Sequence, residues 1–366
     1  MAIEHGTREV ERAILIGLAS DSRHKQEHVE SLEELRRLAH TAGAVVLAER
    51  VQVRPRPDPA FFVGSGLVQE LKAQLEELAG NCVMFDDPLS PAQQRNLEEE
   101  LDAKVIDRPL LILDIFASGA RSAAARMQVE LAQLEYTLPR LTGAWLHFSR
   151  QYGGIGAKGP GETQLETDRR QVRDRIDHLK KKLKKLGVQR ATQRQARSDL
   201  FKIALVGYTN AGKSTLFNAL TKADIETADR LFTTLDSTTR AMSAGYPTKV
   251  VFSDTVGFIN KLPHQLVESF KSTLEEVALA DLLLHVADCS DPKMQEHIEQ
   301  TREVLAEIGA ESVPYLIVYN KLDANPEFTA PSNDSALAFV VSALKSHGLA
   351  ALKAELVIRA GRPRST

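Results

Sequence analysis

The stretch Gly207-Tyr-Thr-Asn-Ala-Gly-Lys213-Ser214 is entered from the apolar run Phe201 to Val206 and left through Thr215-Leu-Phe-Asn-Ala-Leu220. A glycine-rich segment between a strand pattern and a helix pattern constrains this chain more than any other feature, because it predicts a phosphate-binding loop. Glycines let the backbone curl so that the N–H groups of Gly207, Tyr208, Thr209, Asn210, Ala211, Gly212 and Thr215 can face phosphates at the positive end of the following helix. Lys213 would reach the outer phosphates and Ser214 would ligate Mg²⁺. A nucleoside triphosphate is the implied ligand.

The base is read further along, at Asn320-Lys321-Leu-Asp323, which ends the apolar run Pro314 to Tyr319. A carboxylate accepts from two adjacent N–H donors, which guanine offers and adenine does not, so Asp323 would select guanine. Asn320 would brace neighbouring loops and the stem of Lys321 would cover the base. Ser342, Ala343 and Leu344 follow the apolar run Ala338 to Val341, where a backbone N–H would meet the guanine oxygen. These pieces are each expected at a strand end, in the order a GTP or GDP site needs.

Between them lie the segments that would sense the terminal phosphate. Asp254-Thr255-Val256-Gly257 closes the run Val250 to Phe252, so Asp254 can hold a Mg²⁺ water and the Gly257 N–H can meet the γ-phosphate. Phe232, Thr233 and Thr234 form a first switch in which either threonine could reach the metal. Phe258 stands where many switch GTPases carry a water-orienting Gln, so intrinsic hydrolysis should be slow. Asn210, in the fourth loop position, either helps ligate K⁺ in place of an Arg or simply tolerates the loop's backbone geometry.

The chain's 366 residues predict two or three domains. Cys82 and Cys289 lie far apart in apolar runs, with neither a CxxC motif nor a disulfide framework. No apolar segment approaches the roughly 20 residues that cross a bilayer, and the N-terminus lacks a signal-peptide core. A soluble cytoplasmic protein without membrane insertion follows; a monomer is expected. Net charge is −3, but Arg140 to Asp199 holds fifteen Lys and Arg against six Asp and Glu, which leaves the remainder at −12. A basic segment in an acidic chain points to a localised nucleic-acid contact.

Residues 1–119 read as a small α/β domain with a largely parallel sheet. Ala13 to Leu18, Ala44 to Val53, Asn81 to Phe85 and Lys104 to Ile106 have strand patterns, and Ser31 to Ala39 a helical one that opens with a Ser31/Glu34 capping box. Gly64-Ser-Gly66 reads as a helix-start turn. Asp86-Asp87-Pro-Leu-Ser-Pro91 reads as a strand-to-helix turn whose adjacent carboxylates could bind a cation.

Residues 120–198 change character. Met127, Leu131, Leu134 and Leu138 alternate spacings of four and three, as do Val172, Ile176, Leu179, Leu183 and Leu186, so two long helices should pair antiparallel through narrow apolar seams. Pro139 ends the first helix. The long glycine-rich connection carries Trp145, His147, Phe148, Arg150, Tyr152, Gly153, Gly154 and Lys158. Aromatic faces stack on unpaired bases and cations meet phosphates, which favours RNA over a loop with no ligand. Residues 199–366 complete the chain as the nucleotide-binding domain, a mixed and mostly parallel α/β fold.

The chain resembles the HflX-family GTPases over nearly its whole length. The resemblance is carried by Val105-Ile-Asp-Arg108, Leu113-Asp-Ile-Phe116, Gln128-Val-Glu-Leu-Ala-Gln133, Leu138-Pro-Arg-Leu-Thr-Gly143, Gly153-Gly-Ile-Gly156 and Gly159-Pro-Gly-Glu-Thr-Gln-Leu-Glu-Thr-Asp168. In the last domain GYTNAGKST, the segment with Thr234 and Asp236, and Asp254-Thr-Val-Gly-Phe-Ile259 add to it. It implies an N-terminal α/β subdomain, a helical hairpin and a Ras-like G domain, with Thr234 as the metal-binding threonine. It further implies binding to the large ribosomal subunit and its RNA, GTP-driven splitting of stalled or idle ribosomes, and an approach of the Trp145 to Gly161 loop to the peptidyl-transferase region. Some members carry a further C-terminal domain, whereas here the last helical pattern, His347 to Arg359, is expected to close the G domain. Members have also been linked to ATP through the N-terminal part, where no phosphate loop is evident. Two other readings share many of these features: a GTP-controlled scaffold for a protein partner, and a subunit-assembly GTPase.

Overall fold

The computed structural model describes residues 10–23, 25–141, 164–195, 200–221, 232, 238–241, 250–255, 257–259, 261, 276–331 and 337–361. The chain forms two compact units, one of Met1–Ser118 with Val129–Lys181 and the other of Gly119–Gln128 with Lys182–Thr366.

In the first unit, strands β1 (Arg12–Ala19), β2 (Val45–Val53), β3 (Cys82–Phe85) and β4 (Lys104–Asp107) form one parallel sheet in the order β2-β1-β3-β4. Parallel strands need crossovers, and helices α1 (Lys25–Thr41), α2 (Ser65–Glu77) and α3 (Pro91–Leu101) supply them. The strand alternation decides the layers. Ile14, Ile16 and Leu18 pack with Val68, Leu71, Leu75 and Leu97 of α2 and α3, whereas a Cβ on Gly17 would lie 3.4 Å from Leu32 of α1, on the opposite face. The strand order therefore reverses between β1 and β3. Gly64 precedes α2 as expected, and Ser90 caps α3 in a true capping box with Gln93, with Pro91 in the first turn.

The expected Ser31/Glu34 box is not a cap. α1 starts at Lys25, and both side chains instead enter a buried polar network: Ser31 Oγ donates to Asp86 Oδ2 at 2.7 Å, and Arg108 Nη1 donates to Glu34 Oε2 at 2.8 Å. Arg108, the first residue of α4 (Arg108–Gly119), is fully buried and also pairs with Asp86. Burial alone would lower its pKa, but the Asp86 and Glu34 carboxylates more than offset that and raise it.

Helix α5 (Ala123–Thr137) ends in a 3₁₀ turn at Leu138–Arg140 containing Pro139, and α6 spans Gln164–Gln195. Arg175 grips the Glu130 carboxylate with Nε and Nη2 at 2.7 and 2.9 Å, and Lys180 pairs with Glu135 at 2.8 Å. Leu131 and Leu179, in the same stretches of the two helices, are buried. Of the expected α5 seam only Leu131 is fully buried, Met127, Leu134 and Leu138 being half-buried, whereas Val129, Ala132 and Tyr136 are buried. Tyr136 donates its hydroxyl to Asp107 at the end of β4, and the Arg140 guanidinium lies 3.7 Å above the Tyr136 ring.

In the second unit, β5 (Phe201–Val206), β6 (Thr238–Ala241), β7 (Val250–Asp254), β8 (Leu282–Asp288), β9 (Tyr315–Asn320) and β10 (Ala338–Val340) give a six-stranded sheet in the order β10-β9-β8-β5-β7-β6. Only the β6–β7 pairing is antiparallel. Helices α7 (Lys213–Thr221), α8 (Met294–Glu307) and α9 (Leu349–Ala360) accompany it, and Leu205, Phe217, Phe252, Leu284, Val318 and Leu352 share its core. This is the mixed, mostly parallel nucleotide-binding fold the sequence predicts. Apart from Phe232, the described pieces of the expected site sit at or just beyond the carboxyl ends of these strands, where open α/β sheets bind ligands.

Candidate nucleotide site

β5 runs straight into the loop, and Lys213 opens α7 as a helix of nine residues. Phe258 closes the loop from the β7 side: Thr209 N–H donates to the Phe258 carbonyl at 2.7 Å and Phe258 N–H to the Gly207 carbonyl at 3.2 Å. The Phe258 ring is buried, so it serves as packing and cannot orient water. Asn210 adopts φ 62°, the left-handed region that Asn tolerates.

The loop's charges converge on a small space. Lys213 Nζ donates to the carbonyls of Gly207 and Tyr208 at 3.0 and 2.7 Å, and burial pushes its ammonium down to about 8, with the Asp254 carboxylate acting against that shift. Ser214 Oγ donates to Asp254 Oδ2 at 2.8 Å, joining the start of α7 to the end of β7. A hydroxyl and a buried carboxylate side by side are the hard oxygen donors that Mg²⁺ prefers, so the residues present fit that ion. Thr255 hydroxyl donates to the Leu205 carbonyl at 2.5 Å and ties the two strand ends together.

Gly257 cannot be larger. A Cβ there would lie 2.8 Å from Thr209 Cγ2 and 2.9 Å from Lys213 Nζ and from the Thr209 Cα, so a side chain would collide with the phosphate loop. The Thr209 hydroxyl beside it is buried with no hydrogen-bond partner among the described residues.

The base-side residues form a second interlocked group. Asn320, at the end of β9, donates through Nδ2 to the Ala211 carbonyl at 3.0 Å and accepts at Oδ1 from Ala343 N–H at 3.0 Å. The brace expected of Asn320 is thus present, and it engages the Ala343 N–H, one of those in the segment expected to offer an N–H to guanine. Ser342 Oγ donates to Asp323 Oδ1, fixing the carboxylate, and Lys321 Nζ pairs with Asp288 Oδ2 at 2.7 Å, fixing the stem. Leu344 is exposed at the rim. Sequence reasoning missed Asp288, whose only signal is its position at the end of the apolar β8 run. It also missed the stacking of Tyr208 on His297 of α8, with ring centroids 3.7 Å apart.

Phe232 is described and buried, with its carbonyl 4.0 Å from where a Cβ on Gly119 would sit. Thr233, Thr234 and Val256 lie outside the described residues, as do Trp145, His147, Phe148, Arg150, Tyr152, Gly153, Gly154 and Lys158. Among the described residues, no helix is long and apolar enough to cross a membrane.

Comparison with known proteins gives the arrangement a family context. Three family models match in succession: a GTP-binding GTPase N-terminal region over residues 29–117, a GTP-binding GTPase middle region over 119–197, and a 50S ribosome-binding GTPase over 202–321. GTPase HflX of Flavobacterium psychrophilum is 47% identical over 333 residues, covering 91% of this chain and 80% of that protein. GTPase HflX of Escherichia coli K12 is 48% identical over 302 residues, 82% of this chain and 71% of that one. Among solved structures, the crystal structure of SsGBP with GDP superposes with a TM-score of 0.52 at 26% identity, covering 96% of this chain and 98% of that one.

Proposed function

Because this chain belongs to the HflX family of GTPases, and so binds and hydrolyses GTP, we propose that its GTP state docks on the large ribosomal subunit and separates stalled or idle ribosomes into subunits in the cytoplasm. The observation that carries this reading is the exposed basic stretch of α6, where Arg173, Lys181, Lys182, Lys184 and Lys185 all face solvent. These five exposed cations on one helix suit an RNA surface better than a protein scaffold. The loop from Trp145 to Gly161 would supply the aromatic contacts.

In the proposed chemistry, water attacks the γ-phosphorus in line and the β–γ oxygen leaves with the electron pair. Lys213 holds the outer phosphate oxygens, and the Gly257 N–H donates to the γ-phosphate. Ser214 and Thr234, with Asp254 through water, would hold Mg²⁺, which when bound neutralises charge on the β- and γ-oxygens. Asp323 reads the guanine edge. Since Phe258 leaves the water unpositioned, the ribosome completes the site, an effect of the order of 10³ to 10⁵ when charge is supplied in trans. K⁺ held by Asn210 is a second source of that charge; equal hydrolysis rates in K⁺ and Na⁺ would remove it.

The docking half is tested by charge. Replacing Lys181, Lys184 and Lys185 by Glu should weaken binding to large subunits and flatten the fall of affinity with salt, while GTP affinity stays within about twofold. An unchanged salt slope overturns the assignment of α6.

A further inference from the structure

One cluster in the first unit is left unused by the nucleotide chemistry. His28 in the first turns of α1, and Asp86 and Asp87 directly after β3, each present a ligating atom, and the three atoms lie within 4.8 Å of one another. Asp86 is fully buried. His28 Nδ1 is also buried, with no hydrogen-bond partner among the described residues. A buried ring nitrogen left without a partner is unfavourable unless a ligand meets it.

We propose that His28, Asp86 and Asp87 form a binding site for one divalent transition-metal cation of the Zn²⁺ type, separate from the Mg²⁺ position beside Ser214.

Three independent features support it. The first is place. The sheet order β2-β1-β3-β4 reverses between β1 and β3, and Asp86, whose N–H donates to the Ile16 carbonyl at 2.9 Å, stands at the carboxyl end of that boundary, where doubly wound sheets bind their ligands. The second is charge. Asp86, Asp87 and Glu34 bring three carboxylates close to the single guanidinium of Arg108, an arrangement that attracts a cation. The third is the outer shell. Ser31 Oγ donates to Asp86 Oδ2 at 2.7 Å and Arg108 Nε to Asp86 Oδ1 at 3.0 Å, fixing the carboxylate's orientation, as the partners of metal ligands do. An imidazole among the donors favours Zn²⁺ over Mg²⁺ or Ca²⁺, which take oxygen. The same network explains why Ser31 and Glu34 are spent on Asp86 and Arg108 rather than on capping a helix.

The test uses the full chain loaded with Mg²⁺ and GDP, freed of excess nucleotide, and titrated with Zn²⁺ by calorimetry. One Zn²⁺ per chain should bind, with a rise in the thermal midpoint. His28→Ala and Asp87→Asn should each weaken binding at least tenfold and abolish the thermal shift. Their metal-free unfolding should stay cooperative and their basal GTP hydrolysis unchanged. His28→Gln, which keeps a polar group of similar size, repeats the measurement should the alanine variant misfold. Zn²⁺ binding that is unaltered in both the histidine and the aspartate variants, or the lack of any site tighter than millimolar in the parent protein, overturns the proposal. So does equal competition by Mg²⁺.

Discussion

The Asn320 side-chain amide donates to the Ala211 carbonyl at 3.0 Å, joining the end of β9 to the middle of the phosphate loop across 109 positions of sequence. Its other end takes the Ala343 N–H, so one residue holds the phosphate loop and the base loop in a single frame. Gly212 makes room for it. A Cβ there would fall 2.3 Å from Asn320 Nδ2, and its φ of 87° already favours glycine.

Asn320→Ala should therefore leave a buried carbonyl and a buried N–H without partners, each costing roughly 1–3 kcal/mol. The expected result is a loss of about tenfold to a hundredfold in affinity for GTP and GDP alike, read by fluorescent-nucleotide titration. A loss confined to GTP would mean that Asn320 acts on the γ-phosphate instead.

Lys213 links binding to pH. Its ammonium titrates at about 8 in the protein alone, whereas phosphates require it charged. At pH 8 GTP binding should thus take up about half a proton, falling toward zero by pH 7, and affinity should decline as pH rises through 8. Calorimetry in buffers of different ionisation enthalpy measures the uptake. Zero uptake at pH 8 would show that the lysine is already fully charged before phosphate arrives.

Gly257→Ala should separate the two nucleotide states. The added methyl would press on Thr209 and Lys213 at under 3 Å, in the space that the γ-phosphate contact needs. GDP affinity should change by less than about threefold, while a non-hydrolysable GTP analogue loses its advantage and hydrolysis falls at least about a hundredfold. Retained hydrolysis would place the γ-phosphate elsewhere.

Stability of the first unit should rest on Arg108. Arg108→Ala strands the buried Asp86 carboxylate without its guanidinium, a change that typically costs about 3–5 kcal/mol. Urea unfolding followed by circular dichroism should show that loss in the transition of this unit. A shift below about 1 kcal/mol would mean that water reaches Asp86.

Much of this was legible in the sequence because the informative signals are local. The β5 run, the glycine loop and the start of α7 follow one another without a gap, and Ser90, Pro91 and Gln93 announce α3 through contacts three residues apart. What escaped depends on partners far along the chain. Ser31 and Glu34 have the spacing of a cap, but Asp86 and Arg108, 55 and 74 positions away from them, outcompete the helix terminus for their side chains. The Ala343 N–H likewise goes to Asn320, and Asp288 holds Lys321 only because β8 and β9 lie side by side. The seam foreseen for α5 is only partly the buried face: Leu131 is buried but Met127, Leu134 and Leu138 are half-buried, while Val129, Ala132 and Tyr136 are buried on positions the heptad spacing does not announce.

The most direct test of the central claim is sedimentation of intact ribosomes with this protein and either a non-hydrolysable GTP analogue or GDP. The account predicts free subunits, with the protein travelling on the large one, in the analogue sample only, and neither effect with Lys213→Ala. Equal binding to the large subunit with both nucleotides, or intact ribosomes throughout, would contradict it.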